Sequence, residues 1–312
     1  MFCLMASQSK TPFSQYHTRS SNINMLSYLS EDRKEFLYMK QEEREVCFDY
    51  DLQIEAYRFH GIMQKFPNHF HEYYVIGFIE SGQRKLSCKN KNYVINSGDL
   101  IFFNPFDNHA CEQIDNKTLD YRCLNIKPDI MRKVVKEITG RDYLPYFTNP
   151  VAFHSEHAQL LQHLHHMILD KLSDFNKEET FYFLMEQIIE EYCEIAKDIK
   201  LDKIEQKVAK VCEFIEMRYS EPISLDDLVK ICDMNKYTLL RSFARIRGIT
   251  PYRYLQTVRI NEAKKLLGLG VKPLEVAMQT GFVDQSHFSN YFMDFIGLTP
   301  GQYRNIYIDD IK

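Results

Sequence analysis

The run Gly281-Phe282-Val283-Asp284-Gln285-Ser286-His287-Phe288-Ser289-Asn290-Tyr291-Phe292, with Gly297-Leu298-Thr299-Pro300 and Tyr303-Arg304 close behind it, holds a helix stop, a helix cap and an amphipathic helix in quick succession. Gly281 predicts the stop, because glycine tolerates the left-handed conformation that ends helices. Asp284 is a good N-cap for the helix after it. Phe288, Tyr291, Phe292 and Phe295 recur at helical spacing and predict one apolar face. Gln285, Ser286, His287 and Asn290 fall on the opposite edge. A short helix, a tight turn and a second helix with a polar leading edge is the layout that a helix-turn-helix presents to a DNA major groove.

The layout occurs once more upstream. Ser224 and Asp227 stand three apart, a capping box with Asp in place of Glu. Leu225, Leu228 and Ile231 give a buried stripe, and Asp233 sits at a turn where positive φ is tolerated. Asn235 caps the next helix, with apolar Leu239, Phe243 and Ile246 and a polar edge of Lys236, Tyr237, Thr238 and Arg241. Between the two units, Thr250-Pro251 predicts a cap with Pro at the first helical position. A long helix over 250–267 comes next, through Tyr254, Leu255, Val258, Ile260, Ala263, Leu266 and Leu267.

These residues resemble the AraC/XylS family of bacterial transcription regulators. The resemblance rests on Ser224-Leu225-Asp226-Asp227-Leu228, Arg241-Ser242-Phe243, Gly248-Ile249-Thr250-Pro251, Arg259-Ile260-Asn261-Glu262-Ala263 and Gly281-Phe282 through Arg304, in order and spacing. It implies DNA contacts by Lys236, Tyr237, Thr238, Leu240, Arg241 and Arg245 in the first unit and by Gln285, Ser286, His287 and Asn290 in the second. The chain departs from the family at Val229 and Met278, where small or branched aliphatic residues are usual, and at Asp233, which replaces a turn glycine. Asp294-Phe295 stands where the family is basic, so the second unit is expected to hold DNA more weakly.

The chain has 312 residues, 45% hydrophobic and 26% charged, with a net charge of −4. That is the composition of about two globular domains. From Asn235 to Arg304 four Lys and six Arg face two Asp and two Glu, a surplus of six, so the remainder carries −10. A basic segment on an acidic body fits one DNA-facing module. The eight cysteines include no C-x-x-C pair, which excludes zinc-ribbon and thioredoxin readings and fits reduced thiols in a cytoplasm. No apolar run approaches the roughly 18 residues of a membrane span. Residues 1–25 read as a disordered leader too short in apolar core for a signal peptide, with Met25 as an alternative start.

Residues 30–41 read as a capped polar helix. Strands are expected over 73–79, 85–88, 93–95, 100–103 and 121–126, after a β region opening at Leu52, with turn signals between them. His69-Phe70-His71, Gly82, Gly98-Asp99, Pro105 and His109 resemble a cupin barrel, the effector domain of the sugar-type branch of the same family. Helices are expected over 128–139, 155–173 and 177–197, the last with a stripe of Phe181, Leu184, Ile188, Tyr192, Ile195 and Ile199. That stripe packs either on its own barrel or on a second subunit, and the resemblance favours a dimer.

His69, His71 and His109 are open to three readings: metal ligands, hydrogen-bond partners of a small polar effector beside Tyr73, or structural residues. Metal cupins add a Glu after the second His, and here Val75 and Ile76 stand there. Effector binding by His69, His71, Tyr73 and His109 is therefore the expectation, with no metal and no cofactor. His154, His157, His163, His165 and His166 read as an exposed face rather than a site. The expected fold is α+β in two domains, a cupin-like antiparallel β-barrel with following helices and an all-α double helix-turn-helix. The expected limits are 26–155 for the effector domain, 156–200 for linker and dimerisation helices, and 201–312 for the DNA-binding domain. The resemblance implies a cytoplasmic, homodimeric activator that binds double-stranded DNA, a small-molecule effector and RNA polymerase, with the recognition helices about 34 Å apart. The competing expectation, a cupin-type metal enzyme fused to a DNA-binding tail, suffers from the missing carboxylate and the lack of a paired acid and base.

Overall fold

The computed structural model describes residues 42–171, 175–195 and 202–308. The expected leader and the helix over 30–41 lie outside them. The N-terminal region is built on antiparallel strands. β1 (Glu43–Asp49), β2 (Ile54–Ile62), β9 (Leu119–Ile126), β4 (Tyr74–Ser81), β7 (Leu100–Phe103) and β11 (Val151–Ala152) pair in that order in one sheet. β3 (Phe66–His69), β8 (His109–Gln113), β5 (Gln83–Cys88) and β6 (Lys91–Asn96) form a second. The cupin-like layout thus appears as two antiparallel sheets that share a core. Pro67, which cannot donate to a ladder, lies in an edge strand, the position that tolerates it.

Sequence alternation explains the layering. Successive side chains of a strand point to opposite faces. In β4, Val75 and Ile79 join the core between the sheets, while Tyr74, Ile76 and Phe78 join a second core on the outer face. Ile101 and Phe103 of β7 divide from Leu100 and Phe102 in the same way. These strands read as unbroken apolar runs because both faces are covered. The outer cover is α1 (Pro128–Thr139), α2 (Ala158–Leu169) and α3 (Phe175–Tyr192), through Met131, Val135, Leu161, Leu164, Phe181, Leu184 and Ile188. The stripe of α3 is therefore buried against its own domain. The helix expected to reach residue 197 stops at Tyr192. Cys193–Ile195 (β12) pairs instead with Pro145–Phe147 (β10), and Ile195 is exposed, because strand pairing with a distant segment outweighs local helical pattern.

α4 (Lys203–Arg218) leads into the helical region, with Val208, Val211, Cys212 and Ile215 inward and Ile204 on the surface. α5 (Leu225–Cys232) starts at the Ser224–Asp227 capping box, and Asp233 ends it at φ 49°. Its buried pair is Leu228 and Cys232. Ile231, expected in the stripe, is exposed, because the inward face of this short helix runs from i to i+4 at those two positions. α6 (Lys236–Arg247) is capped by Asn235, and α7 (Pro251–Gly268) by Thr250 with Pro251 in its first turn. α8 (Pro273–Gln279) precedes Gly281 at φ +79°, where a Cβ would come within 2.6 Å of the Ser220 carbonyl oxygen. Asp284 caps α9 (Gln285–Ile296), and α10 (Pro300–Asn305) follows. No described helix is long and apolar enough to cross a membrane. From Glu42 onward the chain forms one unit in which the helical region packs on the sheets.

Candidate functional site

His69 and His109 face each other in register across β3 and β8. Just past the end of β3, His71 comes to the same side as His69, and Phe70 goes the other way, into the helical core 4.9 Å from the Tyr254 ring. The three imidazoles lie 4.5, 4.7 and 5.0 Å apart between ring centroids. His109 also stacks on Phe103 at 3.8 Å. His69 Nδ1 donates to the Pro67 carbonyl and His109 Nδ1 to the Asp107 carbonyl, at 2.6 and 3.0 Å. His71 Nδ1 meets the Tyr73 hydroxyl at 3.0 Å. Burial pushes all three rings well below the ordinary histidine range, His109 to about 4, so they are neutral at pH 7.

The rings edge a cavity of about 100 Å3 whose other walls include Phe59, Val75, Ile101, Phe103 and Tyr121. A cavity somewhat larger, about 150 Å3, accepts benzene. One wall comes from the helical region, because Phe295 and Ile296 of α9 close the space, with Phe295 5.4 Å from His69. The site is therefore shared by the sheets and the second recognition helix, which the sequence did not disclose.

The sheet region grips the ends of both recognition helices. Gly248 and Gly297 end α6 and α9 in the left-handed conformation. Asn68 donates to the Gly248 carbonyl at 2.9 Å, and a Cβ on Gly248 would strike Asn108. Arg44 donates to the Gly297 carbonyl, and Gln64 reaches the Met293 carbonyl at 3.1 Å. Beside them lies a buried polar knot. Glu55 of β2 accepts from Tyr303 and Tyr307, from Lys264 of α7 at 3.1 Å, and from Asn125 at 3.2 Å. Burial alone would raise the Glu55 carboxyl, but the Lys264 charge and these donors hold it down at about 2. Burial draws Lys264 down as well, which opposes the pair; the donors converging on Glu55 decide for the charged state. Lys264 also donates to the Tyr73 hydroxyl at 2.9 Å, which links the knot to His71.

The expected DNA-facing residues divide. Lys236, Tyr237, Leu240, Arg241 and Arg245 are exposed along α6, Tyr237 at 71%, and Thr238 is half-buried. Lys236 pairs with Asp226 at 2.7 Å. Gln285, Ser286 and Asn290 are exposed on α9. His287 is half-buried instead, its ring 4.9 Å from Tyr291 and 5.7 Å from Phe282, so it belongs partly to the core. The upstream histidines do not gather. His163 and His166 are exposed, His165 is buried against the Tyr57 carbonyl, and His157 pairs with Glu191. Glu55, Lys264, Tyr303 and Phe295 were missed. The one sequence signal was Lys264 itself, a cation within the apolar stripe of Ile260, Ala263 and Leu267.

Two cap-turn-helix units joined by an 18-residue helix, beneath a two-sheet domain with an apolar-lined cavity, define an effector-domain transcription regulator. The chain belongs to the AraC-type helix-turn-helix regulators: residues 51–185 match the AraC-like ligand binding domain and residues 228–306 a helix-turn-helix domain. It is 53% identical over 249 residues to the uncharacterized HTH-type transcriptional regulator YbfI of Bacillus subtilis, covering 80% of this chain and 90% of that one. It is 22% identical to the HTH-type transcriptional activator RhaS of Klebsiella pneumoniae, over 77% of this chain and 87% of that one. A crystal structure of an apo variant of ToxT from Vibrio cholerae shares the fold, with a TM-score of 0.50 at 17% identity, covering 82% of this chain and 97% of that one.

Proposed function

We propose that this regulator reads DNA through α6 and α9 and is controlled by a small effector held in the cavity by His69, His71, Tyr73 and His109. The observation that carries the reading is the shared wall: Phe295 of the second recognition helix touches the same space as the three imidazoles. An effector regulates only through its different affinity for two states of the protein. A ligand that fills this cavity must meet α9, so occupancy and the docking of α9 are coupled. Without effector, the grip on Gly248 and Gly297 restrains the recognition helices. The molecule that fits is small, apolar in body, with one polar group for the imidazoles.

Lys236, Tyr237, Thr238, Leu240, Arg241 and Arg245 face DNA from α6, and Gln285, Ser286 and Asn290 from α9, with a lesser part for His287. The protein acts as an activator through RNA polymerase, a reading that the activator among its relatives supports. It works as a homodimer in the cytoplasm. Because the stripe of α3 is spent internally, Phe183, 53% exposed, is an apolar side chain that helix offers a partner among the described residues. The thiols of Cys88, Cys111, Cys123, Cys193, Cys212 and Cys232, unbridged, fit a reducing compartment.

His71→Ala tests the effector role. Effector-free DNA affinity should stay within about twofold of wild type, while the response to compounds extracted with the native protein falls at least tenfold, about 1.4 kcal/mol. Equal collapse of DNA binding with and without those compounds would make His71 a structural residue.

A further inference from the structure

We propose that the cleft between the start of α1 and α7 is a second small-molecule site, built for a phosphate monoester on a small polar body and bound by Lys127, Asn261 and the first-turn N–H groups of α1. Tyr73 and Asn125 divide it from the histidine cavity, and it does not rest on the effector reading.

The cleft measures about 430 Å3, against about 100 Å3 for the cavity between the sheets. That volume lies in the range of ligand pockets. Asn261, Lys264, Lys265 and Gly268 line it from one face of α7, at the spacings that bring helix residues together. Across from them the chain leaves β9 and enters α1 at Lys127-Pro128-Asp129.

The polar groups still without partners decide the ligand's chemistry. Inside the cleft the carboxylates are engaged. Glu55 accepts from Tyr303, Tyr307, Lys264 and Asn125, and Glu72 pairs with Lys265 at 2.7 Å. The unmet groups are donors. Asn261 is 5% exposed, and its amide nitrogen has no hydrogen-bond partner, a costly state for a buried donor. The last torsion of an asparagine is soft, so this amide turns into the cleft when a ligand arrives. Among the described residues Lys127 Nζ has no hydrogen bond or ion pair, and its charge adds to the burial that draws Lys264 down. Lys127 is also the N-cap of the 12-residue α1, extended and without a side-chain cap. The N–H groups of Asp129 and Ile130 therefore have no intrahelical acceptor.

An ammonium, a helix N-terminus and a buried amide donor that face one space call for a ligand rich in acceptors. A helix N-terminus favours phosphate. A phosphate monoester brings three acceptor oxygens and nearly two negative charges at pH 7, more than a carboxylate offers. Gln53 and Lys265 on the walls suit a hydroxylated body. Asp129, exposed on the rim, opposes the anion, and solvent screens it.

The test uses the full chain in phosphate-free buffer, titrated calorimetrically with glycerol 3-phosphate, glycerate and glycerol. One glycerol 3-phosphate per chain is expected, with glycerate weaker and glycerol silent. Lys127→Gln should weaken the phosphate ester about tenfold. Asn261→Asp, nearly the same shape, should abolish its binding while near-ultraviolet circular dichroism stays that of wild type. Asp129→Asn should tighten it, and Lys117→Gln, which removes an exposed lysine outside the cleft, should leave it unchanged. If Asn261→Asp does not fold, the Lys127 and Asp129 variants still decide. A folded wild-type chain without saturable uptake overturns the proposal, as does an unchanged affinity in Lys127→Gln. Glycerate bound as tightly as the phosphate ester overturns the phosphate assignment. None of these titrations involves the histidine cavity, so the effector reading stands or falls on its own measurement.

Discussion

Arg241 stands exposed on the leading edge of α6, one helical turn from Tyr237. An arginine so placed can read guanine through two parallel hydrogen bonds. Arg241→Ala should cost about 1–3 kcal/mol on the cognate duplex and relax one base position. A loss equal on every sequence would make it a phosphate contact. Lys236 must first leave Asp226, and Lys236→Ala should weaken all duplexes alike and flatten the salt dependence by about one unit. His165 sets a different expectation. Burial lowers its pKa from an ordinary 6.5 to about 3, so the folded state prefers it neutral. Its contribution is complete above pH 6.5 and is lost as pH falls toward 3. Thermal midpoints should drop between about pH 6.5 and 4.5, and His165→Gln should make that slope shallower; an unchanged slope would contradict the assignment. Caps were legible at this scale because a cap is local chemistry: Ser224, Asn235, Thr250 and Asp284 all accept the backbone hydrogen bonds their residue types predict. The aromatic cover over His287 was not legible, because spacing alone cannot tell a polar edge from one that Phe282 and Tyr291 partly cover.

Recognition helices α6 and α9 are not equivalent elements. Arg241, Arg245 and Lys236 lie on α6, whereas α9 has no Lys or Arg and carries Asp294. Phosphate attraction scales with the cations a protein places on the backbone. Scrambling the half-site under α6 should therefore cost more affinity than scrambling the one under α9, and equal losses at moderate salt would refute the asymmetry. The helices of the C-terminal region were legible because glycine, Pro and cap residues punctuate them. β1, β3 and β8 were not. They are half-buried or edge strands, and mixed polar runs such as Glu43–Asp49 become strands only by pairing with a neighbour. The shortened α3 has the same origin, a pairing between β10 and β12 that no local pattern announces.

At the scale of the whole molecule, the proposed regulation rests on docking. The cupin-like histidines were visible in the sequence, but the wall that α9 adds was not. Nor was the knot at Glu55, whose partners Lys264 and Tyr307 lie 209 and 252 residues away along the chain. Long-range polar pairing leaves no periodic signal. Breaking such a buried pair on one side leaves the other charge stranded, at about 3–5 kcal/mol. Glu55→Gln should thus loosen the helical region from the sheets without altering any residue proposed to touch DNA. The decisive measurement is the affinity of Glu55→Gln and wild type for the same cognate duplex without effector, with hydrogen exchange followed in α9 and in β4. If docking restrains the recognition helices, the variant binds DNA more tightly, α9 exchanges faster and β4 stays protected. Unchanged or weaker binding, with α9 released and β4 still protected, would contradict the account.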